Sequence, residues 1–379
     1  MTVHRSVVGA LIESAARGDD TVLATVVRVT GSSYGGVGAR MLVRVDGSTV
    51  GLVSGGCLES DIAEHSRRVH ETGRAEVVRY DTRDDDDAPW GLGLGCNGLI
   101  EVLLEPLRPA AAKSLSAMIG GALAGDTPCV LASVIVAGDG IDSPEVGAHA
   151  LIGHTTRPVT GSWGDGVVLA GIPSAFDEAQ ANGRRGLVRE YGQVQVAFEV
   201  VTPTLRLVVC GSGPDALPIT TFASQLGWDV IVVDHRPVDE ARGSRFPGAR
   251  VVECIDPLRL SDSVVLNSRT AAVVASHHFS RDLEYVQALL AAGVAYIGVL
   301  GPRARTQRML DGLEARGVPP VAPDGRNTLF GPVGLDTGGD GPEGIALAIV
   351  AEVSAVVNGR GGGHLRNRRG PMHEARGKF

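Results

Sequence analysis

The sequence predicts an α/β protein in which a mixed α/β domain precedes a doubly wound parallel-sheet domain. Three observations support this fold class. The 379 residues include 52 glycines, about twice the usual share, and these glycines cluster in loops after strand-like segments. From Leu205 onward, apolar strands alternate with helical segments, which is typical of a parallel sheet. Pro203 marks the boundary between the two halves.

The first half, residues 1–201, begins with the periodicity of an amphipathic helix at 4–17. Asp46-Gly47, between two apolar runs, predicts a hairpin. One interpretation divides this half into two sub-units, 1–107 and 108–201. We expect strands at 21–30, 74–82, 99–106, 128–136, 147–152 and 193–201, and helices at 58–72 and 109–124.

The second half, residues 202–357, contains a nucleotide-fold signature. Gly211 and Gly213 follow an apolar strand directly, and Asp234 ends the next strand. Glycines allow a tight turn, the following helix offers free N–H groups to phosphate, and the acid occupies the ribose-binding position. This order predicts a Rossmann-like domain, and we favour one without catalytic NAD(P). We expect strands at 205–210, 229–233, 271–275 and 295–299, and helices at 215–226, 281–292, 303–316 and 343–357.

Composition limits the classes of function. The formal net charge of −8 argues against nucleic acid as the main partner. The sequence has neither the apolar core of a signal peptide nor a membrane-spanning apolar run, so we expect a cytoplasmic protein. The five cysteines lack CxxC spacing, which argues against a structural zinc site or a disulfide framework. The glycine- and arginine-rich tail, 358–379, is predicted to be disordered.

Three glycine-rich loops follow strands of the first half and are predicted to surround one ligand pocket. They read GSSYGGVGAR (31–40), VSGGCLES (53–60) and GLGLGCNG (91–98). Arg40 is the candidate anion partner. Glu59 has an alternative role, because it lies in the first turn of a predicted helix and can cap it. The candidate binding residues of these loops are Ser32, Ser33, Arg40, Ser54, Gly55, Gly56, Glu59 and Asn97.

Cys57 and Cys96 lie among these glycines and allow three interpretations. A nucleophilic cysteine needs a base, and His65 lies two turns further along the predicted helix. A cysteine at a helix N-terminus could instead contact a soft metal or a sulfur. The third interpretation is a small buried thiol in a tight turn.

Three other motifs favour ordinary structural roles. In SHHFSRD (276–282), the two histidines and Asp282 could form a metal or phosphate site at the end of a strand. The favoured alternative is a strand-to-helix turn in which Ser280 caps the helix. GPVGLDTGGDGPEGIALAI (331–349) is interpreted as the start of a helix, and DDDD (84–87) as a solvated loop.

GSSYGGVGARML, DGSTVGLVSGGCLESDI and GLGLGCNGLIEVLLEP, in this order, resemble the XdhC/CoxI family. So do the GSG turn, SHHFSRDLEYVQALL, AYIGVLGPRARTQRML and GPVGLDTGGDGPEGIALAIVAEV, and the resemblance covers residues 5–357. The family comprises accessory proteins of molybdenum hydroxylases such as xanthine dehydrogenase and carbon monoxide dehydrogenase.

The resemblance implies a carrier rather than an enzyme. The protein would bind the molybdenum cofactor, a phosphate-bearing pyranopterin dithiolene, and protect it while a cysteine desulfurase supplies the terminal sulfido ligand. It would then deliver the cofactor to an apo molybdenum hydroxylase, and a homodimer is expected. Cys57 is the candidate molybdenum contact, and Cys96 belongs to the same binding set.

Two alternatives remain beside the carrier. The first is an NAD(P)-dependent oxidoreductase that uses Gly211, Gly213 and Asp234, and the second is a cysteine-based enzyme acting on sulfur. Two departures from the family's pattern bear on the carrier. The family's first loop often reads GSSYRRPG, whereas this chain has GSSYGGVG, which would leave more of the anion binding to Arg40. The family's Rossmann turn often has a histidine where this chain has Pro214.

Overall fold

The computed structural model describes residues 2–31, 35–81, 98–140, 143–153, 159–163, 178 and 185–367. The chain divides into two compact units, Val3–Pro203 and Thr204–Arg368, called here the first and the second unit. No helix in the described part of the chain is both long and apolar enough to cross a membrane.

The first unit begins with an antiparallel sheet. Its strands are β1 (Thr21–Gly31), β2 (Arg40–Arg44), β3 (Thr49–Gly51), β4 (Glu76–Asp81) and β5 (Gly98–Leu107). They are ordered β3-β2-β1-β5-β4, and each hydrogen-bonded pair is antiparallel. The helices are α1 (Thr2–Arg17), α2 (Glu59–Thr72) and α3 (Pro109–Ala124).

Both faces of this first sheet are buried, because successive strand residues point to opposite faces. Leu23 and its register partner Leu42 lie in the core formed with α1 and α3. Ala24 and its partner Met41 lie in the core on the other side, with Ile62 of α2. The core thus fixes the position of α2, the helix that follows the second glycine-rich loop.

A second antiparallel sheet completes the first unit. In the described residues it contains β6 (Cys129–Val136), β7 (His149–Ile152), β8 (Val159–Thr160), β9 (Gly186–Tyr191) and β10 (Val194–Val201). The strand order is β8-β7-β6-β10-β9. One face packs on α1 and α3 through Leu131, Leu151 and Val201.

The second unit is a parallel sheet with helices on both faces. Its strands are β11 (Arg206–Cys210), β12 (Asp229–Asp234), β13 (Ala249–Glu253), β14 (Thr270–Val274), β15 (Tyr296–Val299) and β16 (Leu329–Phe330). The strand order is β13-β12-β11-β14-β15-β16. The chain adds β12 and β13 on one side of β11 and then β14 to β16 on its other side, as in a Rossmann fold. The helices are α4 (Ala216–Gln225), α5 (Glu240–Ser244), α6 (Leu260–Ser263), α7 (Phe279–Ala291), α8 (Arg303–Ala315) and α9 (Gly341–Val357), with 3₁₀ turns at Pro257–Arg259 and Leu365–Asn367.

Each face of the parallel sheet has its own core. One face packs on α4 and α9 through residues such as Ile219 and Ile349. The other face packs on α7 and α8 through residues such as Val286 and Met309. The predicted fold class, a mixed α/β domain followed by a Rossmann-like doubly wound domain, is confirmed.

The sequence does not predict four of the strands, β8, β9, β13 and β16. Each of them lies at an edge of its sheet. The tail predicted to be disordered begins at 358, but residues 358–367 belong to the described part of the chain. The rest of the tail, 368–379, lies outside the described residues.

Candidate functional site

Three connections of the first sheet leave from the same end of that sheet. β1 ends at Gly31, which is the register partner of Gly98 at the start of β5. β3 ends at Gly51 beside the start of β2, where the amide of Leu52 donates to the Arg40 carbonyl over 3.0 Å. Because neighbouring strands are antiparallel, β1 and β3 end, and β2 and β5 begin, toward the same side of the sheet.

The first and second loops are in direct contact. Gly35 lies against the backbone carbonyl of Val53 so closely that a Cβ at Gly35 would overlap the oxygen. Only glycine fits such an approach. The predicted site residues Ser32, Ser33, Cys96 and Asn97 lie outside the described residues, as does the acidic run 84–87.

The second loop forms a turn, the SGGC turn (54–57), that is closed by its own side chains. Glu59 accepts from the Ser54 amide through Oε1 at 2.8 Å and from the Ser54 hydroxyl through Oε2 at 2.5 Å. The Ser54 hydroxyl oxygen accepts from the amides of Cys57 and Leu58, each at 3.1 Å. These bonds satisfy N–H groups at the start of α2, so the structure shows Glu59 in its capping role.

Glu59 is held in its charged form. Burial raises the pKa of its carboxyl, but the hydrogen bonds from the Ser54 hydroxyl and from nearby amides outweigh burial. The net pKa lies below the ordinary value. Glu59 therefore stays ionised at neutral pH, the form that accepts the hydrogen bonds of Ser54.

Gly55, Gly56 and Cys57 form the accessible part of the turn. Both glycines are exposed, and Cys57 is partly buried at the margin of the core under α2. Gly56 has a φ of 106°, a conformation that residues with a side chain rarely adopt, and no described residue lies within 4 Å of where its Cβ would be. Among the described residues, the backbone at Gly56 is therefore uncovered.

His65 does not serve Cys57 as a base. Its ring nitrogens lie 3.5 Å from the Asp61 carboxylate and 3.4 Å from the Glu76 carboxylate. The nucleophile interpretation needs a base directed at the thiol, and His65 is directed at these two acids instead.

Arg40 lies in a different environment from the one expected of an anion-binding residue. The residue is only 2% exposed, and both of its Nη atoms donate to the carboxylate of Glu199 on β10, Nη1 at 3.0 Å. Nη1 also donates to the Gly38 carbonyl at 3.0 Å. The expectation that Arg40 carries much of the anion binding does not match this position, because a buried guanidinium with a carboxylate partner has little charge to offer.

The glycine turn of the second unit has the close approach that a Rossmann fold needs. Gly211 has a φ of 122°, and a Cβ there would lie 2.5 Å from the Ala275 carbonyl oxygen. Gly211 and Gly213 lie at the carboxyl end of β11 beside β14, where the strand order reverses and such folds bind ligands.

Asp234, the predicted ribose-binding acid, is bound by groups of the protein itself. Its Oδ2 accepts from the Ser212 amide at 3.1 Å and from the Ser212 hydroxyl at 2.6 Å. Arg236 donates to Oδ1 from its amide at 3.0 Å and from Nε at 2.9 Å, and to Oδ2 from Nη2 at 2.9 Å. A ribose would have to displace these donors, which disfavours the NAD(P) interpretation.

The same contacts set the charge of Asp234. Burial raises the pKa of its carboxyl, but hydrogen bonds from Arg236 and Ser212 lower the pKa by more, to well below its usual range. Asp234 therefore remains an anion that is neutralised locally by Arg236.

The segment after β14 is a strand-to-helix turn, as the favoured interpretation predicts. α7 begins at Phe279, so Ser280 lies inside the helix, and the expectation that Ser280 caps it is wrong. Asp282 instead accepts from the Ser276 amide at 3.1 Å, the Ser276 hydroxyl at 2.5 Å and Arg305 at 2.6 Å. In the described residues, no group of three or more His, Cys, Asp or Glu side chains could hold a metal ion.

His277 has a conformation that the sequence does not reveal. Its φ is 63°, in the left-handed region that side chains rarely occupy. Its Nε2 lies 3.0 Å from Asp215 Oδ2, and its ring approaches Gly213. Sequence reasoning also misses Glu199, since no local signal connects it to a partner 159 positions away.

Both halves of the chain match known family models. The model of the XdhC and CoxI family matches residues 14–81, and the model of the XdhC Rossmann domain matches residues 207–353.

Individual relatives cover nearly the whole chain. A Bacillus subtilis protein, described as a probable subunit of xanthine dehydrogenase, is 32% identical over 336 residues, or 88% of this chain and 92% of the relative. The molybdenum cofactor insertion chaperone PaoD of Escherichia coli is 25% identical over 354 residues, or 93% of this chain and 88% of the relative. A crystal structure of a xanthine dehydrogenase from Bacillus halodurans matches with a TM-score of 0.73 and 31% identity, covering 94% of this chain and 96% of that chain.

The fold and these matches define a class of protein in which a domain with glycine-rich loops precedes an XdhC-type Rossmann domain. The chain belongs to the XdhC/CoxI family. The resemblance that the sequence motifs indicate is confirmed.

Proposed function

We propose that this protein binds the molybdenum cofactor and inserts it into an apo molybdenum hydroxylase of the xanthine dehydrogenase type. The observation that carries the proposal is the SGGC turn, which Glu59 and Ser54 close after β3 and against which Gly35 of the first loop rests. Two relatives support the choice of cargo and client, because one is named for xanthine dehydrogenase and the other for molybdenum cofactor insertion.

The chemistry of the turn suits this cargo. The cofactor is a phosphate-bearing anion that also carries molybdenum and sulfur. The backbone of Gly55 and Gly56 is exposed just before α2, within reach of a ligand. The sulfur of Cys57 is the soft ligand type that molybdenum and sulfur chemistry prefers.

A carrier needs binding groups but no catalytic base. His65 is engaged with Asp61 and Glu76, which fits a binding site better than a nucleophilic cysteine enzyme. We also propose that the protein protects the cofactor while a cysteine desulfurase adds sulfur to it. The carrier is proposed to be a homodimer and to act in the cytoplasm. Carbon monoxide dehydrogenase is the second client class.

Purification from a cofactor-producing host tests the binding step. We expect the wild-type protein to carry molybdenum, measured by mass spectrometry, and a pterin, measured by fluorescence after oxidation. Absence of both, even with a desulfurase co-expressed, would reject the proposed function.

The contact role of Cys57 needs a matched control. Cys57→Ala is expected to lower the molybdenum content, whereas Cys129→Ala is not, because Cys129 is a similarly part-buried cysteine at the start of β6. Transfer of cofactor to a cofactor-free client enzyme, followed as recovered activity, should show the same difference. Equal loading and transfer by both variants would remove Cys57 from the site while leaving the carrier role intact.

A further inference from the structure

We propose that Glu199 of the second sheet sets the position of the SGGC turn, acting through Arg40 and residues 35–40 of the first loop. These residues are called here the bridging loop. Glu199 is a positioning residue in this proposal and does not touch the cargo. Its importance for cofactor binding rests on the proposed function, whereas its effect on the turn does not.

One end of the bridging loop is fixed to the second sheet by charge and by close packing. The Arg40 guanidinium donates to both oxygens of Glu199 and to the Gly38 carbonyl. Gly38 has a φ of 87°, and a Cβ there would overlap the Glu199 carboxylate. The loop backbone therefore rests directly on the side chain of Glu199.

The middle of the bridging loop lies against the edge strand of the second sheet. Gly186, the first residue of β9, leaves just enough room for the side chain of Val37, because a Cβ at Gly186 would overlap it. The second sheet thus contacts the loop at two places, Gly186 and Glu199.

The other end of the bridging loop rests on the SGGC turn. Gly35 lies against the carbonyl of Val53, the residue before the turn. The amide of Val53 donates to Glu59 Oε1 at 3.3 Å, and the same oxygen accepts from Ser54 at 2.8 Å. A displacement of the loop would therefore be passed to the residues that shape the turn.

The nature of the pair also favours a positioning role. Arg40 is 2% exposed and the Glu199 side chain 11% exposed, and a buried ion pair adds little stability over apolar residues of similar volume. It does impose a direction, since the guanidinium must face both the carboxylate and the Gly38 carbonyl. Removing the charges while preserving volume should therefore keep the fold and release the loop.

The test compares wild type with the double variant Arg40→Met/Glu199→Leu and with Glu199→Gln. The readout is the alkylation rate of each cysteine by iodoacetamide, resolved by peptide mass spectrometry, with the melting temperature measured in parallel. We expect Cys57 to react about five- to thirtyfold faster in the double variant, because the bridging loop would no longer hold the SGGC turn in place. The melting temperature should stay near that of wild type.

Cys129 serves as an internal control. It lies on β6, whose Leu131 is the register partner of Glu199, so general loosening of the second sheet would accelerate Cys129 as well. An unchanged Cys57 rate in a folded variant, or equal acceleration of Cys57 and Cys129, would overturn the proposal. Glu199→Gln keeps the side-chain shape. If the double variant does not fold, the Cys57 and Cys129 alkylation rates of Glu199→Gln are compared in the same way.

The molybdenum content of the same variants separates this proposal from the proposed function. Faster Cys57 alkylation in protein freed of cofactor, together with a reduced molybdenum content of the protein as purified, supports both. Faster alkylation with unchanged molybdenum content retains Glu199 as the positioning residue of the turn but overturns its importance for cargo. A wild-type protein without molybdenum rejects the proposed function, and the alkylation result still decides the role of Glu199.

Discussion

At the scale of residues, one acid shapes a glycine turn in each unit. Glu59 closes the SGGC turn by accepting from Ser54, and Asp234 closes the turn at Gly211 by accepting from Ser212. Each carboxylate has a pKa lowered by the donors around it. In the first unit the glycines next to the acid remain exposed, whereas in the second unit Arg236 covers the acid that a ribose would need.

The Glu59 carboxylate gives a stability change with a definite sign in pH. Its pKa is lower in the folded protein, so its contribution is complete above the ordinary pKa of about 4.3 and is lost as the pH falls through the folded value. We expect Glu59→Gln to lower the free energy of unfolding by about 1 kcal/mol at pH 7, the usual size of a capping loss. Denaturant unfolding measured between pH 7 and about pH 3 checks this.

Glu64→Gln is the matched control for that series, because Glu64 is exposed on the same helix. It should leave the unfolding free energy nearly unchanged at both ends of the pH range. A Glu59→Gln deficit that stayed constant down to the lowest pH would contradict the charged capping role.

At the scale of elements, the sequence predicts the interior strands, but of the six described edge strands it predicts only β3 and β4. The interior strands β11, β12 and β14 are short and mostly apolar runs, and their pattern is local. β9 and β13 are edge strands with polar and partly exposed residues, so they lack that pattern. β8 and β16 have two residues each, and tertiary contact rather than composition makes them strands.

The predicted site also has features that are local in sequence and features that depend on residues far away in the chain. The SGGC turn is local in sequence, and the capping role of Glu59 could be weighed from spacing alone. The position of Arg40 depends on Glu199, which comes from another sheet, so its burial is a property of packing. Likewise, Ser212 and Arg236 donate hydrogen bonds to Asp234, and these bonds depend on side-chain geometry that the G-x-G pattern does not encode.

The closed acid at the end of β12 predicts weak dinucleotide binding. We expect neither NAD⁺ nor NADP⁺ at millimolar concentration to raise the melting temperature of the wild-type protein, because Asp234 would have to exchange several hydrogen bonds for those of a ribose. Thermal shift in the presence of each nucleotide checks this. A saturable shift that disappears in Asp234→Ala would instead establish the oxidoreductase alternative.

At the scale of the whole molecule, buried polar groups connect the two sheets of the first unit. His149 on β7 has Nε2 2.6 Å from Glu105 Oε1 on β5 and Nδ1 2.9 Å from the Ser133 hydroxyl on β6. Both Glu105 and His149 are less than 5% exposed. Such a network is stable only when its members are paired, so it fixes how the first sheet faces the second.

Breaking this network should weaken the first unit selectively. We expect His149→Leu to lower the stability of the first unit by about 2 kcal/mol, because Glu105 and Ser133 lose a buried partner. Hydrogen exchange read by peptide mass spectrometry should show faster exchange in β5, β6 and β7. Peptides of β11 and β14 report the second unit, and an equal increase there would contradict a network confined to the first unit.

The contact between the first loop and the SGGC turn also says where a label can be attached. The Asp46-Gly47 turn between β2 and β3 is exposed at the opposite end of these two strands. β2 spans 5 residues, so this turn lies about 15 Å from the point where the chain leaves β3 for the SGGC turn. A fluorophore or surface tether introduced at this hairpin would leave the SGGC turn unobstructed, and the cofactor transfer proposed above could then be followed on single immobilised molecules.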